Sequence, residues 1–134
     1  MKKLLLLLLP IACLSQQTAV VDFQKVEAMV VPDAATETIS GTVNVAFKML
    51  EATDSVYLDA VGMKLTQTAL ESVAVRATAD KIWFTGAFEK GREYTAFFTF
   101  EATPKQALYF TGNQIWTQGQ GKYTSHWLPS LEDR

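Results

Sequence analysis

Between residues 38 and 50 apolar and polar side chains alternate with a period of two. Ile39, Val43, Val45, Phe47 and Met49 fall on one face, and Thr38, Ser40, Thr42, Asn44 and Lys48 fall on the other. Successive side chains of a strand point to opposite faces, so this pattern predicts a strand with one buried and one wet face. Gly41 interrupts the apolar face and marks either a bulge or a close approach of another group. Residues 93–101 repeat the pattern, with Tyr94, Ala96, Phe98 and Phe100 together. Shorter or weaker runs predict strands over 23–31, 56–60, 70–76, 81–85, 108–110 and 114–118. Turn signals separate them at Pro32-Asp33, Thr53-Asp54-Ser55, Ala79-Asp80, Lys90-Gly91 and Thr111-Gly112-Asn113. No segment sustains a period of 3.6. The expectation is an all-β fold, an antiparallel β-sandwich or a strongly curved, saddle-like sheet pair, with no internal repeat.

The first 15 residues follow a different rule. Met1-Lys2-Lys3 is basic, six leucines follow from Leu4 to Leu9, and Pro10-Ile11-Ala12 extends an apolar stretch too short to span a bilayer. This reads as an export signal over 1–15, with Cys13-Leu14-Ser15 as a small-x-small cleavage site. The β-domain then occupies 16–134, and the destination is periplasmic, secreted or associated with the cell envelope. A second reading ends the signal before Cys13, as in a lipobox, and makes Cys13 a candidate lipidation site. One lipid chain holds a protein on a membrane only marginally, whereas several anchor it firmly. Cys13 is the single cysteine, so cleavage after it leaves a mature domain without disulfide or thiolate chemistry.

Charge and composition narrow the function. The formal net charge is −2, and no Lys/Arg cluster follows the signal, which argues against nucleic acid as a partner. His126 is the sole histidine. A protein zinc site takes three or four His, Cys or carboxylate ligands, so no cofactor is expected in this chain, and an ordinary surface or hydrogen-bonded histidine is the simpler reading. No Gly-x-Ser-x-Gly elbow or complete phosphate loop is present. A two-carboxylate site stays open, because any two acids can meet in space. Trp83, Phe84, Phe97, Phe98, Tyr109 and Trp116 read mainly as core or inter-domain packing, with an exposed subset able to stack on sugars.

Five segments in order carry a resemblance. They are residues 26–33, ending in Pro32-Asp33; residues 39–47 around Gly41; Val56-Tyr57-Leu58-Asp59-Ala60; Gly91-Arg92-Glu93-Tyr94 followed by Pro104 and Leu108-Tyr109; and Thr117-Gln118-Gly119-Gln120 with Pro129. Together they resemble the N-terminal β-domain of the aminopeptidase N family of zinc peptidases, over essentially all of residues 22–133. In that family the Thr-Gln-x-Glu/Gln segment reaches into the active site of the next domain. The resemblance implies that Gln120 contacts the free α-amino group of a peptide substrate and that Gln118 lines the pocket for the first side chain. A substrate ammonium has three donors and a side-chain carbonyl accepts one. An amide is a weaker partner than a carboxylate, so Gln120 implies looser amine selection than a glutamate there.

The chain also departs from the family pattern at Thr124-Ser125, Ser130 and Glu132, where Ala-Arg, Cys and Asp are common. These place it in a divergent branch. The family's zinc motif, His-Glu-x-x-His with a distant Glu, is absent. The resemblance therefore implies that zinc belongs to a downstream catalytic domain of a parent enzyme, that this domain is the partner, and that 134 residues are a truncated frame or a fragment. Two other expectations stand beside it: a stand-alone secreted β-sandwich binding module for a carbohydrate or protein, and a structural lipoprotein tethered at Cys13. An isolated capping domain would leave an apolar face uncovered.

Overall fold

The computed structural model describes residues 17–69, 72–118 and 123–132. Cys13 and the signal assigned to residues 1–15 lie outside them, as does Gln120. The described residues form strands β1 (Val21–Asp33), β2 (Thr38–Met49), β3 (Thr53–Asp59), β4 (Lys64–Thr68), β5 (Ala74–Ala77), β6 (Lys81–Phe88), β7 (Glu93–Ala102), β8 (Leu108–Thr111) and β9 (Gln114–Thr117). Single 3-10 turns occupy Gln17–Ala19 and Thr124–His126. All strand pairs are antiparallel: a sheet ordered β1-β2-β7-β4, a sheet ordered β3-β6-β5, and the hairpin β8-β9. The chain is all-β, as its alternation predicts.

The alternating faces meet between the two large sheets. β2 and β7 supply Ile39, Val43, Val45, Phe47, Met49, Ala96, Phe98 and Phe100; β3 and β6 supply Val56, Leu58, Ile82 and Phe84. Phe47 is the hub. Its ring centroid lies 5.8 Å from those of Phe23, Phe84 and Tyr94 and 5.5 Å from that of Phe88. Such tilted, edge-on and stacked aromatic pairs add directional attraction to the burial of their area.

The choice left open at Gly41 resolves as close approach. No register shift occurs there; instead the Phe100 ring sits against the backbone, and a Cβ on residue 41 would lie 2.3 Å from Phe100 Cε1. Phe100 is fully buried, so the ring has nowhere to retreat.

Several element boundaries differ from expectation. β1 continues through Pro32-Asp33, and the turn follows at 34–37. β1 is an edge strand, where a missing proline N–H costs no ladder bond. The strand expected over 70–76 is met by β5 over its second half, with residues 70 and 71 outside the described residues, and β4 is an additional strand before it. β4 has only Leu65 as a large apolar residue, and a bulge between Leu65 and Gln67 breaks its alternation, so no period-two signal marks it. Among the aromatics, Phe84 and Phe98 are core, Trp83, Phe97 and Tyr109 are half-buried, and Trp116 is 44 % exposed. Trp83 faces outward beside Tyr57, centroids 5.0 Å apart, with the Arg76 guanidinium over its ring. A cation over an indole face is attracted by the ring quadrupole.

The two sheets treat their edges differently. The outer edge of β3 is occupied: Gln17 Nε2 donates to Tyr57 O at 2.7 Å and its Oε1 accepts Tyr57 N–H, while Asp59 pairs with Ser130. Among the described residues no strand pairs with the outer edge of β1, which carries a bulge after Phe23, the Lys25–Glu27 ion pair and Pro32, each of which discourages pairing with another chain.

Candidate functional site

After β7 the chain forms a hairpin whose first strand is rooted in the core through Leu108, with Phe110 packed against it. Ala107 adopts φ +65°, a region costly for a residue with a Cβ. β8 follows, then a tight turn with Gly112 at φ +59°, then β9. Tyr109 and Trp116 are cross-strand partners and stack at 4.5 Å, and Trp116 Nε1 donates to Thr111 Oγ1 at 3.2 Å. All four residues of β9 are exposed. Stacking and ladder hydrogen bonds shape this hairpin, since burial contributes little to β9.

Gln118 directly follows β9. Its N–H donates to Ala107 O at 2.9 Å, which extends the hairpin by one rung and leaves the side chain exposed. The rung closes an open hollow of about 280 Å³ lined by Gln106, Ala107, Tyr109, Gln118 and Tyr123. Gln118 thus shares the lining of the hollow with two aromatics, Tyr109 and Tyr123. That arrangement offers an amide donor and acceptor beside apolar ring surface, a combination suited to a small amphipathic group. A larger open hollow, about 620 Å³, lies by the β1–β2 turn between Asp33, Lys64 and Glu101. Its Asp33 carboxylate is already engaged: Oδ1 accepts the N–H groups of Ala35 and Thr36, and these bonds, the Ala35 one foremost, hold its pKa below the ordinary value.

Residues 123–132 return to the sandwich and dock on the end of β3. Asp59 and Ser130 exchange backbone hydrogen bonds of 2.8 and 3.0 Å. Asp59 Oδ2 accepts Glu132 N–H at 3.2 Å, and Glu132 Oε1 accepts Ser125 N–H at 2.9 Å. Ser125 O in turn accepts Val61 N–H at 2.8 Å. Asp59 and Ser125 are the buried polar residues here, 3 % and 2 % exposed. The positions that depart from the family pattern, Ser125, Ser130 and Glu132, are therefore the contacts that seat this segment.

The Asp59 and Glu132 carboxylates each accept a backbone N–H, from Glu132 and Ser125 respectively. Sequence reasoning passed over Asp59 as a site residue, although aspartate is depleted in strands and its place in Val56-Tyr57-Leu58-Asp59-Ala60 was a usable signal. His126 is half-buried, edge-on to Tyr123 at 5.9 Å. Among the described residues no group of three or more His, Cys, Asp or Glu is placed to hold a metal, so the residues described here do not fit a zinc ion.

No protein-family model matches the chain, and no curated protein matches it in sequence. Solved structures do. An M1 zinc metallopeptidase from Deinococcus radiodurans aligns at TM-score 0.70 with 18% identity, over 84% of this chain and 29% of that one. A point mutant of the M1 zinc metallopeptidase from the same organism, bound to a Tyr-Ser-Ala substrate, gives the same values. A two-domain M1 zinc metallopeptidase mutant bound to L-tryptophan aligns at TM-score 0.69 and 18% identity, over 83% and 29%. The chain thus spans less than a third of the length of these enzymes, and its fold is that of a domain-sized part of M1 zinc metallopeptidases.

Proposed function

We propose that this chain is the N-terminal, non-catalytic β-domain of an exported zinc aminopeptidase, which caps the catalytic domain and helps hold the free α-amino group of a peptide. The observation that carries the reading is the conjunction of fold and placement. A fold shared with M1 zinc metallopeptidases carries Gln118 on an exposed wall, two residues before the position that the resemblance assigns to amine contact. Gln118 lines the pocket for the first side chain, and the Gln120 carbonyl accepts one ammonium proton. The zinc, the general base and the bond cleavage belong to the downstream domain. The basic and leucine-rich start supports export, with Cys13 as the lipidation site if the signal ends before it.

The test uses the polypeptide of the complete reading frame and a chromogenic aminoacyl substrate. A hydrogen bond to a charged group contributes about 1.5–3 kcal/mol, so Gln120→Ala raises KM roughly 10- to 100-fold, and Gln120→Glu lowers it. Unchanged KM in both variants, or a frame that encodes no His-Glu-x-x-His, removes the reading.

A further inference from the structure

The described residues that flank positions 119–122 are tied down on both sides. At the near end Gln118 N–H bonds Ala107 O at 2.9 Å. At the far end the ties run in a ring: from Asp59 Oδ2 to Glu132 N, from Glu132 Oε1 to Ser125 N, and from Ser125 O to Val61 N, two residues along the chain from Asp59. The ring sits at the end of β3, and β3 is itself registered on β6 by core residues Val56 and Leu58. Tyr123, which forms one wall of the hollow beside Gln118, stands two residues before Ser125.

We propose that Asp59 is a positioning residue for substrate binding. Through Glu132 and Ser125 it fixes the segment 123–132, and with it Tyr123 beside Gln118, against the sandwich. The inference rests on the functional reading above. Its physical basis is that a recognition group must be held within a fraction of an ångström to contribute fully, and stretches anchored on strands are held better than free loops. Asp59 suits the task because its side chain is buried. A lost acceptor there leaves Glu132 N–H without that partner, which weakens the segment's hold on the sandwich.

The test has two arms. In the 134-residue chain, amide hydrogen exchange is compared between the anchored segment (Gln118, Ser125, Glu132 and Val61) and the core strands (Val45 and Phe98). Asp59→Ala speeds exchange in the first group by about tenfold or more and leaves the second group unchanged; Asp59→Asn, which keeps a carbonyl acceptor, restores most of the protection. Equal acceleration in both groups, or no acceleration, overturns the proposal, as does an Asn variant no better than Ala. If Asp59→Ala fails to fold, Glu132→Ala removes the next acceptor of the relay, the one that takes Ser125 N–H, and is read the same way. In the full-length peptidase, Asp59→Ala raises KM for a free-amine substrate with kcat little changed, and its effect is not additive with that of Gln120→Ala. A Gln120 effect without an Asp59 effect overturns this inference alone. The absence of a Gln120 effect overturns the functional reading, while the exchange arm still reports on the anchoring.

Discussion

The centre of the sandwich and its C-terminal segment are built on opposite principles. In β2 and β7 every second side chain is buried, and the two strands share a ladder running from Ile39–Ala102 to Lys48–Glu93. In β9 nothing is buried; among the described residues around it only Ala107, Leu108, Ser125 and Pro129 are buried, and one stacked aromatic pair, a few hydrogen bonds and the Asp59–Ser130 bridge complete the segment's shape. Burial is non-directional and additive, so it makes a robust scaffold. Hydrogen bonds and stacking are directional and individually weak, so they place a few groups accurately while leaving their surfaces free to meet something else.

That contrast is broken most severely from the core side. Phe47→Ala removes the hub ring and is expected to cost about 3–5 kcal/mol in urea unfolding, a large fraction of a typical domain's stability. A cost near that of a surface change would mean that the core is not where stability resides. On the other side, Trp116→Ala removes a stacked pair and is expected to cost only about 0.5–1.5 kcal/mol. The same change should reduce binding of an apolar dye, because Ile115, Trp116, Tyr123 and Leu131 are the large apolar groups that the C-terminal segment leaves exposed. A Trp116 effect as large as that of Phe47 would erase the distinction between scaffold and presenting surface.

The smallest effect concerns the β1–β2 turn. Asp33 has a lowered pKa because its carboxylate accepts the Ala35 and Thr36 amides. A folded-state pKa below the unfolded one contributes stability that is present above the unfolded value and lost as pH falls through the folded value. Wild type should therefore lose stability relative to Asp33→Ala as pH falls below about 4, with the two converging in strong acid. A constant difference between them across that range would remove the carboxylate's role as a turn cap.

How much of this was legible in sequence follows the same division. β2 and β7 were readable because half their residues face a core, and the faces of Val43, Val45, Phe47, Phe98 and Phe100 fell where alternation placed them. β4 was not, since Leu65 alone faces inward and a bulge shifts its register. The extension of β1 past Pro32 was hidden because edge position, a tertiary property, decides whether proline is tolerated. For the site, Gln118 was named through family resemblance and lies in a concave wall, whereas Asp59, Ser125 and Glu132 went unassigned. Their partners are separated by up to 73 residues, and no local pattern announces a side chain that bonds a backbone that far along the chain. For Trp116 the sequence leaves core and inter-domain packing open, and its exposure follows from a strand with one neighbour.

The most direct test of the central claim is photo-crosslinking from the pocket wall. p-Benzoylphenylalanine replaces Tyr123 in the polypeptide of the complete reading frame, and a labelled peptide is offered with its α-amino group free or acetylated. The account predicts adducts with the free-amine peptide that an unlabelled aminoacyl competitor abolishes, and little labelling by the acetylated peptide. Equal labelling by both peptides, or none from an enzyme that still cleaves the free-amine peptide, would contradict the claim that this domain helps to hold the substrate N-terminus.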